Sequence, residues 1–280
     1  MPTIEMDNES PSSIETVKMR KIDIDKKLDL IEEDLVAVES PIRFFLNRKP
    51  LTTIMASPSN LSEMALGFLV DEGVVPHYKC IREIKINKNE VKVKAKEVNQ
   101  ERLKSISENA LIVTSCGSKA DFYRVIDELD KRPLKKNYHI KAQDIADMVR
   151  ETINKSSSAR AIFHITGGVH SASVFNDKIL RGFAEDVGRH NAVDKAIGIC
   201  LEKNVPLDRA ILITSGRQTA DIIMKAARCK IPISVSIRAP ILTGIYAAEL
   251  AGITLICFVR GSKMNIYSHP ERVKPLNQLF

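Results

Sequence analysis

The sequence predicts an α/β protein with a smaller N-terminal α+β domain. Between residues 161 and 259, short apolar runs alternate with segments of helical period, which is typical of a sheet covered by helices. Nearer the N-terminus, short strand-like runs surround a single helix. With 280 residues and 44% hydrophobic composition, the chain can form one large domain or two smaller ones.

The N-terminal elements follow from turn and capping residues. Residues 1–16 are polar, contain Pro and Ser and show no period, so we expect a disordered tail. Residues 57–75 predict a helix with Ser59 or Asn60 as N-cap and Gly73 at its end. Short apolar or alternating runs predict strands at 35–40, 41–47, 51–57, 82–87 and 91–98.

The C-terminal elements alternate more regularly. An apolar run at 110–115 predicts a strand that ends at Cys116, and helical periods predict helices at 141–154, 189–203, 218–229 and 241–252. Strands are predicted at 161–166, 171–175, 178–183, 210–214, 233–237 and 253–259. The repeated β-α-β order predicts a mixed, largely parallel sheet.

These elements divide the chain into four parts. We expect a tail at 1–16, an α+β domain at 17–109, a cysteine-bearing loop and linker at 110–137 and an α/β domain at 138–280. The basic run at 131–136 is interpreted as a solvated part of that linker.

Charge and composition limit the possible partners. The net charge of +7 favours anionic ligands, but 5% aromatic residues and no Trp leave no stacking platform, which argues against nucleic acid. Neither a long apolar stretch nor a secretory signal is present, so we expect a cytoplasmic protein that does not bind membranes. The five widely spaced cysteines fit a reducing compartment.

Several common motifs are absent. The sequence contains neither the dinucleotide fingerprint nor the P-loop, and it has no C-x-x-C pair. The zinc-deaminase pattern is matched only by His269 and Glu271, with no cysteine after them. We therefore expect no catalytic or structural metal.

Cationic residues follow three successive strands. In an open α/β sheet, ligands bind beyond the carboxyl ends of the strands. Arg217 follows the first of these strands, Arg238 the second, and Arg260 with Lys263 the third, while Arg189 lies where a helix begins. The pattern predicts a site for a phosphate-bearing anion.

Cys116 is the candidate nucleophile. It leaves a predicted strand into a Gly-Ser loop with Lys119 three residues later, and a nearby cation stabilises a thiolate. An inert thiol at a strand end is the alternative. The apolar surroundings of three other thiols place them in the core: Cys200, Cys229 and Cys257.

Histidines and carboxylates offer weaker candidates. His164 and His170 flank a Gly-Gly turn between two predicted strands, where a base or a structural role is possible. Asp186, His190 and Asp194 could form a triad with Cys116, or His190 and Asp194 could brace one helix face.

Four long blocks carry a family resemblance: FHITGGVHSASVF at 163–175, EDVGRHNAVDKAIG at 185–198, ITSGRQTADIIMKAARCKIPISVSIRAP at 213–240 and AGITLICFVRGSKMNIYSHPERV at 251–273. They resemble, in order, the signatures of the formate dehydrogenase accessory sulfurtransferase family, FdhD/NarQ. The resemblance extends from about residue 34 to 275. It implies a cytidine-deaminase-like three-layer α/β domain without zinc ligands.

The resemblance also implies a function. Members of the family carry sulfur from a cysteine desulfurase, as a cysteine persulfide, to the molybdenum cofactor of formate dehydrogenase. The persulfide cysteine lies in a C-G-x-C loop, whose first position matches Cys116 and whose second is Lys119 here. The resemblance further implies a possible homodimer.

The implied client is molybdenum bis(molybdopterin guanine dinucleotide), and the partners are a cysteine desulfurase and the catalytic subunit of formate dehydrogenase. Arg217 and Arg189 would hold one guanine-nucleotide arm of the client. The other would contact the loop after the last strand: Phe258, Val259, Arg260, Gly261, Ser262 and Lys263. Two alternatives remain open: a cofactor-binding chaperone without sulfur transfer, and a hydrolytic deaminase-like enzyme.

Overall fold

The computed structural model of the protein describes residues 1–6, 12–108, 111–112, 134 and 138–275. Its strands form two six-stranded sheets, a separate hairpin and a short strand pair. In chain order they are β1 (Thr3–Met6), β2 (Ile14–Asp23), β3 (Leu28–Ala37), β4 (Ser40–Leu46), β5 (Lys49–Ala56), β6 (Ile81–Asn87), β7 (Glu90–Ala95), β8 (Leu111–Ile112), β9 (Ile140–Lys141), β10 (His170–Asn176), β11 (Ile179–Asp186), β12 (Ala210–Thr214), β13 (Ile233–Ser236), β14 (Thr254–Arg260), β15 (Lys263–Ser268) and β16 (Val273–Lys274).

Seven α-helices lie in the described residues. They are α1 (Leu61–Asp71), α2 (Gln100–Glu108), α3 (Ala142–Ser156), α4 (Ile162–Thr166), α5 (Arg189–Glu202), α6 (Ala220–Arg228) and α7 (Leu242–Ala251). Single 3₁₀ turns occur at Tyr78–Cys80 and Pro270–Arg272. Among the helices that the structure describes, none is long and apolar enough to cross a membrane.

The N-terminal sheet has the strand order β1-β6-β7-β4-β5-β8. Its two hairpins, β4–β5 and β6–β7, lie where the turn residues predict them. In β7, Val91 and Val93 are buried while Lys92 and Lys94 are exposed, so one face of the sheet packs on the core and the other meets solvent. The β2–β3 hairpin stands apart from this sheet and pairs only with itself.

The expected disordered tail is wrong for the described part of residues 1–16. Thr3–Met6 form β1, which pairs in parallel with β6, and Ile14 opens β2. Ile4 lies opposite Ile84 and packs against the core. The local sequence gives no sign of this strand, because β1 is stabilised by pairing with β6, which begins only at Ile81.

The C-terminal sheet confirms the α/β class. Its order is β11-β10-β12-β13-β14-β15, with β12, β13 and β14 mutually parallel. β10 runs antiparallel to both β11 and β12, so β11 points in the same direction as β12. Four of the six strands thus share one direction, in a mixed sheet. The likeness to cytidine deaminases remains a prediction.

Helices cover both faces of this sheet. Ile211, Ile213 and Val235 pack with α3 residues on one face, whereas Leu212 and Leu255 face the opposite way toward α5 and α6. The apolar cluster that contains Leu212 and Leu255 also contains the apolar residues of α1 and of the N-terminal sheet. The two predicted domains therefore share one continuous core.

Helix α1 joins the two sheets. All of its residues except Glu63 are buried, and it packs along α5. Asn60 precedes it in the left-handed conformation, and the Asn60 Nδ2 donates a hydrogen bond to Glu63 Oε1 at 3.0 Å. The helix ends at Asp71, followed by Gly73 with φ of 70°. Its position within 57–75 confirms the predicted helix.

The strand predicted at 161–166 is wrong, because Ile162–Thr166 form helix α4. Glu185 of β11 accepts hydrogen bonds from the Ile162 N–H at 2.7 Å and the Phe163 N–H at 3.3 Å. A carboxylate at these two orphan donors stabilises a helix start. Because Glu185 lies on another element, the local apolar pattern could not reveal this cap.

The loop predicted after the last strand is shorter than expected. Lys263 pairs with Arg260 and opens strand β15, so only Gly261 and Ser262 form the turn. Gly261 has φ of 58°, a left-handed conformation that glycine adopts without steric cost. The expected loop 258–263 is thus the tip of a β-hairpin at the sheet edge.

Candidate anion-binding edge of the C-terminal sheet

The strands β11, β12, β13 and β14 end at one edge of the C-terminal sheet, which we call the strand-end edge. Two of the connections beyond it are joined by hydrogen bonds. Gln218 N–H donates to Ala239 O at 3.1 Å, and Ile241 N–H donates to Gln218 O at 2.8 Å. This placement of the loops at one edge agrees with the strand-end rule.

Cationic side chains collect along this edge. Arg217 and Arg238 are exposed and form no ion pair with the residues that the structure describes. Arg189 begins α5 and is partly buried. A Cβ on Gly216 would come within 3.0 Å of the Arg189 Cβ, so the glycine leaves room for the arginine stem. Three arginines from separate elements therefore share the β11–β13 end of the edge.

The remaining predicted ligand residues lie farther along the edge. Phe258 has φ of 54°, and its N–H donates to Arg238 O at 3.2 Å. Val259 is buried, whereas Arg260 and Lys263 are exposed at the hairpin tip. The ends of β11 and β14 are four strand spacings apart, or about 19 Å. The predicted residues form two groups on one edge instead of one contact cluster.

A buried ion pair fixes the start of α5. Lys195 Nζ lies 2.6 Å from Asp186 Oδ2, and both side chains are fully buried. Asp186 Oδ1 also accepts hydrogen bonds from the Gly188 N–H at 2.7 Å and Asn191 Nδ2 at 2.9 Å. Burial lowers the pKa of Lys195, and the Asp186 carboxylate opposes that shift. The pair holds the turn that carries Arg189.

The same ion pair joins the two sheets. Ser57 follows β5, and its N–H donates to Asp186 Oδ2 at 3.1 Å while its carbonyl accepts from Lys195 Nζ at 2.8 Å. The Val187 N–H donates to Ser57 Oγ at 3.2 Å. The end of β5 is therefore bound directly to the end of β11.

A second buried cluster surrounds Lys225 of α6. Its Nζ lies 2.8 Å from Asp71, 2.7 Å from Glu72 and 2.8 Å from Asp194. Burial and the neighbouring Asp194 raise the pKa of Asp71 well above its usual range. Because α1, α5 and α6 each contribute to this cluster, it fixes their relative positions.

These clusters overturn the triad hypothesis. Asp186 is bound by Lys195 and Asp194 by Lys225, and in the described structure neither carboxylate hydrogen-bonds to His190. Burial, with help from Arg189 and Lys225, lowers the pKa of His190 to about 3. His190 is therefore a neutral structural side chain. The alternative that His190 and Asp194 brace one helix face also fails.

The lysines at the centres of these clusters were not singled out from the sequence. Lys225 shares one helix face with Ile222 and Cys229, at spacings of three and four residues. A lone cation within an apolar helix face signals a buried ion pair, but its partners lie in distant segments.

The two histidines of the Gly-Gly turn have different environments. His164 is exposed on α4, whereas His170 opens β10 at the strand-end edge. His170 Nδ1 lies 3.2 Å from Ser215 Oγ. Burial, followed by Arg189 and Arg238, lowers the pKa of His170. His170 is thus neutral at physiological pH and close to the arginines.

The cysteines fall into two groups. The core assignment of Cys200, Cys229 and Cys257 is confirmed, and Cys80 is buried as well. Burial raises the pKa of Cys200 and of Cys257 to about 12, so these thiols are protonated. Cys116 and Lys119 lie outside the described residues.

Covalent connectivity limits how far Cys116 can be from the described structure. β8 ends at Ile112, which pairs in parallel with Ile54 of β5. Cys116 is the fourth residue after Ile112, so the two α-carbons are at most about 14 Å apart. Since β5 and β8 run in the same direction, β8 points toward the end of β5 at which Ser57 contacts Asp186.

The fold and the edge together define a mixed α/β protein that presents several cations beyond its parallel strands. Within that class, residues 37–274 match the FdhD/NarQ family model. The chain belongs to the FdhD/NarQ family, which confirms the resemblance read from the sequence. The replacement of the second loop cysteine by Lys119 remains a prediction.

Curated relatives are similar over most of their length. A protein of Sulfolobus acidocaldarius named sulfur carrier protein FdhD is 37% identical over 263 residues, which is 92% of this chain and 99% of that protein. The protein of the same name from Wolinella succinogenes is 32% identical, over 89% of this chain and 86% of its own.

A solved structure agrees with the fold. A crystal structure of a Desulfotalea psychrophila protein, assigned as a formate dehydrogenase accessory protein, superposes with a TM-score of 0.73 and 27% identity. The match covers 94% of this chain and all of that chain. A role as a sulfur carrier and formate dehydrogenase accessory protein is therefore supported by the family and by these relatives.

Proposed function

We propose that this chain accepts sulfur as a persulfide on Cys116 and transfers it to the molybdenum cofactor for formate dehydrogenase. The observation that supports this most directly is the covalent reach of Cys116. A span of at most about 14 Å connects it to Ile112, whose strand points toward the β5–β11 contact. We therefore propose that the Cys116 thiol meets the ligand at the strand-end edge.

The loading step is a thiol–persulfide exchange. The Cys116 thiolate attacks the terminal sulfur of the persulfide on a cysteine desulfurase, and a new S–S bond forms as the donor's S–S bond breaks. The donor cysteine leaves as a thiolate. Lys119 would favour the Cys116 thiolate by its charge, in the position where a second cysteine is expected from the family pattern. The chain acts as a sulfurtransferase in this sense.

The proposed client is molybdenum bis(molybdopterin guanine dinucleotide), and the protein needs no catalytic metal of its own. Arg217 and Arg189 suit one guanine-nucleotide arm, because their guanidinium groups can form paired hydrogen bonds to phosphate. The hairpin tip with Arg260 and Lys263 suits the other. The end of β14 lies two strand spacings, or about 10 Å, from the end of β12 and about 19 Å from the end of β11, and this range fits an extended ligand with two charged arms.

The first test is sulfur loading. The purified protein is incubated with a cysteine desulfurase and cysteine, and peptide mass spectrometry locates the added sulfur. We expect one sulfur on Cys116 and none on the four buried cysteines. Cys116→Ala should abolish loading, while the neighbouring Ser118→Ala should load normally.

The second test separates transfer from delivery alone. A cofactor-binding chaperone without sulfur transfer is the alternative, because Lys119 removes the second thiol. If Cys116→Ala still matures formate dehydrogenase in cells that lack the native protein, the carrier function is refuted and the chaperone remains. Lys119→Cys tests whether a second thiol changes the loading rate.

A further inference from the structure

His170 occupies a distinctive place on the strand-end edge. It is the first residue of β10, between the ends of β11 and β12. Its Nδ1 lies 3.2 Å from Ser215 Oγ, and the same oxygen accepts a hydrogen bond from the Ser171 N–H at 2.9 Å. The imidazole is therefore held by a residue that directly follows β12.

The Ser215 hydroxyl determines which imidazole nitrogen carries the proton. Its oxygen accepts from the Ser171 N–H, and among the described residues its own proton finds one acceptor, His170 Nδ1. This arrangement assigns the proton of the neutral ring to Nε2. The Nε2 atom has no hydrogen-bond partner in the described structure, yet it is not among the atoms sealed from solvent. An N–H donor thus points to accessible space.

Charged groups face this imidazole from every neighbouring element. Arg189 of α5 and Arg238 after β13 are cations, and Asp186 of β11 lies opposite His170 in the strand register. His190 of α5 also lies within electrostatic reach and stays neutral. The Asp186 carboxylate is already neutralised by the Lys195 ammonium. Positive charge therefore dominates around His170.

We propose that His170 is a ligand-binding residue whose Nε2–H donates a hydrogen bond to an oxyanion held by Arg238 and Arg189, and that the imidazole takes up a second proton from solvent, on Nδ1, as the anion binds. The inference rests on the proposed anion-binding role of the strand-end edge, and it adds a residue and a pH dependence to that role. The ligand class is a phosphate-type oxyanion, such as a nucleotide phosphate group.

The proton uptake follows from electrostatics. In the free protein, burial and the two arginines disfavour the imidazolium. A bound oxyanion offsets the arginine charges and attracts the imidazolium, so the pKa of His170 rises in the complex. By linkage, a group whose pKa is higher in the complex strengthens binding as the pH falls. A rise of about one unit corresponds to about a tenfold gain in affinity.

The test uses sulfate, which keeps its charge over the range from about pH 5 to about pH 8 where the imidazole titrates. Histidine NMR signals of the full chain are followed against pH, with sulfate or with chloride at equal ionic strength. We expect sulfate to raise the pKa of His170 by about one unit. His164, exposed on α4, serves as the internal control and should not shift.

Variants test the same point by affinity. His170→Gln keeps an N–H donor but cannot titrate, so its sulfate affinity should not rise at low pH, whereas that of His164→Gln should rise about tenfold as in the unmodified chain. A purely structural role of His170 would not change this pH profile selectively. The proposal is overturned by an unshifted His170 signal, or by a His170→Gln profile that matches the unmodified chain.

Sulfur loading on Cys116 keeps this inference separate from the proposed function. The unmodified chain is therefore assayed both for sulfur loading from the desulfurase and for the sulfate-linked shift of His170. An unmodified chain that loads sulfur but shows no sulfate-linked shift of His170 refutes the role of His170 and leaves the carrier function standing. A sulfate-linked His170 shift in a chain that does not load sulfur refutes the carrier function and retains the anion site.

Discussion

The contact between α1 and α5 depends on two glycines, and their replacement is the sharpest test of the shared core. A Cβ on Gly198 of α5 would lie 1.7 Å from Glu63 O, and a Cβ on Gly67 of α1 would lie 1.8 Å from Asp194 O. Each helix therefore approaches the backbone of the other so closely that only a hydrogen fits between them.

The cost of Gly198→Ala can be worked from these distances. An ordinary carbon–oxygen contact is about 3.3 Å or longer, so the helices must separate by about 1.5 Å. Overpacking of this kind costs about 3 kcal/mol, and contact with rigid backbone places it at the upper end of the usual range. The higher helix propensity of alanine relative to glycine offsets about 1 kcal/mol of this cost. The net destabilisation is about 2 kcal/mol.

Thermal and urea unfolding measure this effect. A loss of about 2 kcal/mol lowers the Tm by roughly 4–8 °C for a chain of this size. Asn154→Ala, on the exposed surface of α3, gains helix propensity without a contact and should be neutral or slightly stabilising. The double variant Gly67→Ala with Gly198→Ala should cost less than the sum of the single variants, because one separation relieves both overlaps.

An unchanged or raised Tm for Gly198→Ala would refute the close contact of these helices. A loss confined to the N-terminal sheet, with the C-terminal sheet unfolding at its original temperature, would instead refute the shared core. Circular dichroism combined with hydrogen exchange of both sheets distinguishes these outcomes.

Three other predictions concern buried ionisable groups. The pKa of His190 is about 3 in the folded chain and near 6.5 in the unfolded chain, so the unfolded state binds an extra proton as the pH falls. The free energy of unfolding should therefore fall by about 2 kcal/mol from pH 7 to pH 5. His190→Gln should flatten this pH dependence, as measured by urea unfolding. Lys195→Met leaves the Asp186 carboxylate buried without its counter-ion and should cost about 3–5 kcal/mol in unfolding free energy. Iodoacetamide at neutral pH should not alkylate the four buried thiols in the folded chain, as read by peptide mass spectrometry: Cys80, Cys200, Cys229 and Cys257.

Each of these predictions has a matched control. His164→Gln should leave the pH slope of stability unchanged, and an equal slope in His190→Gln would contradict the assignment. Lys203→Met, exposed just after α5, should change stability little, and an equally small effect of Lys195→Met would contradict the buried pair. For the thiols, labelling in denaturant is the control, and fast labelling of the folded chain would show that they are accessible.

The elements that the sequence predicts best are those with apolar residues along the whole of one face. Strands β12, β13 and β14 and helices α5, α6 and α7 lie where the apolar periods place them, since the strands are buried and each helix buries one face. Helix α4 shows the limit of that approach. Its apolar residues suit a strand, and only the Glu185 carboxylate from β11 makes the helical start favourable.

The candidate site also has a part that the sequence predicts and a part that only the structure shows. The strand-end rule brought Arg217, Arg238 and Arg260 to one edge from sequence order alone, because parallel strands end on the same side. The charged clusters required three dimensions. Nothing local indicates that Lys225 binds carboxylates of α1 and α5, or that Ser215 orients His170.

Family membership, the α/β class and the order of the C-terminal elements are therefore encoded in local composition, motif spacing and periodicity. These properties can be identified from the sequence without the three-dimensional structure. The single core, the neutral state of His190 and the juxtaposition of His170 with the arginines emerge only after folding. They depend on burial and on contacts between residues far apart in the chain. Such contacts alter the local dielectric and the charge around a group, and neither quantity is a property of the neighbouring sequence.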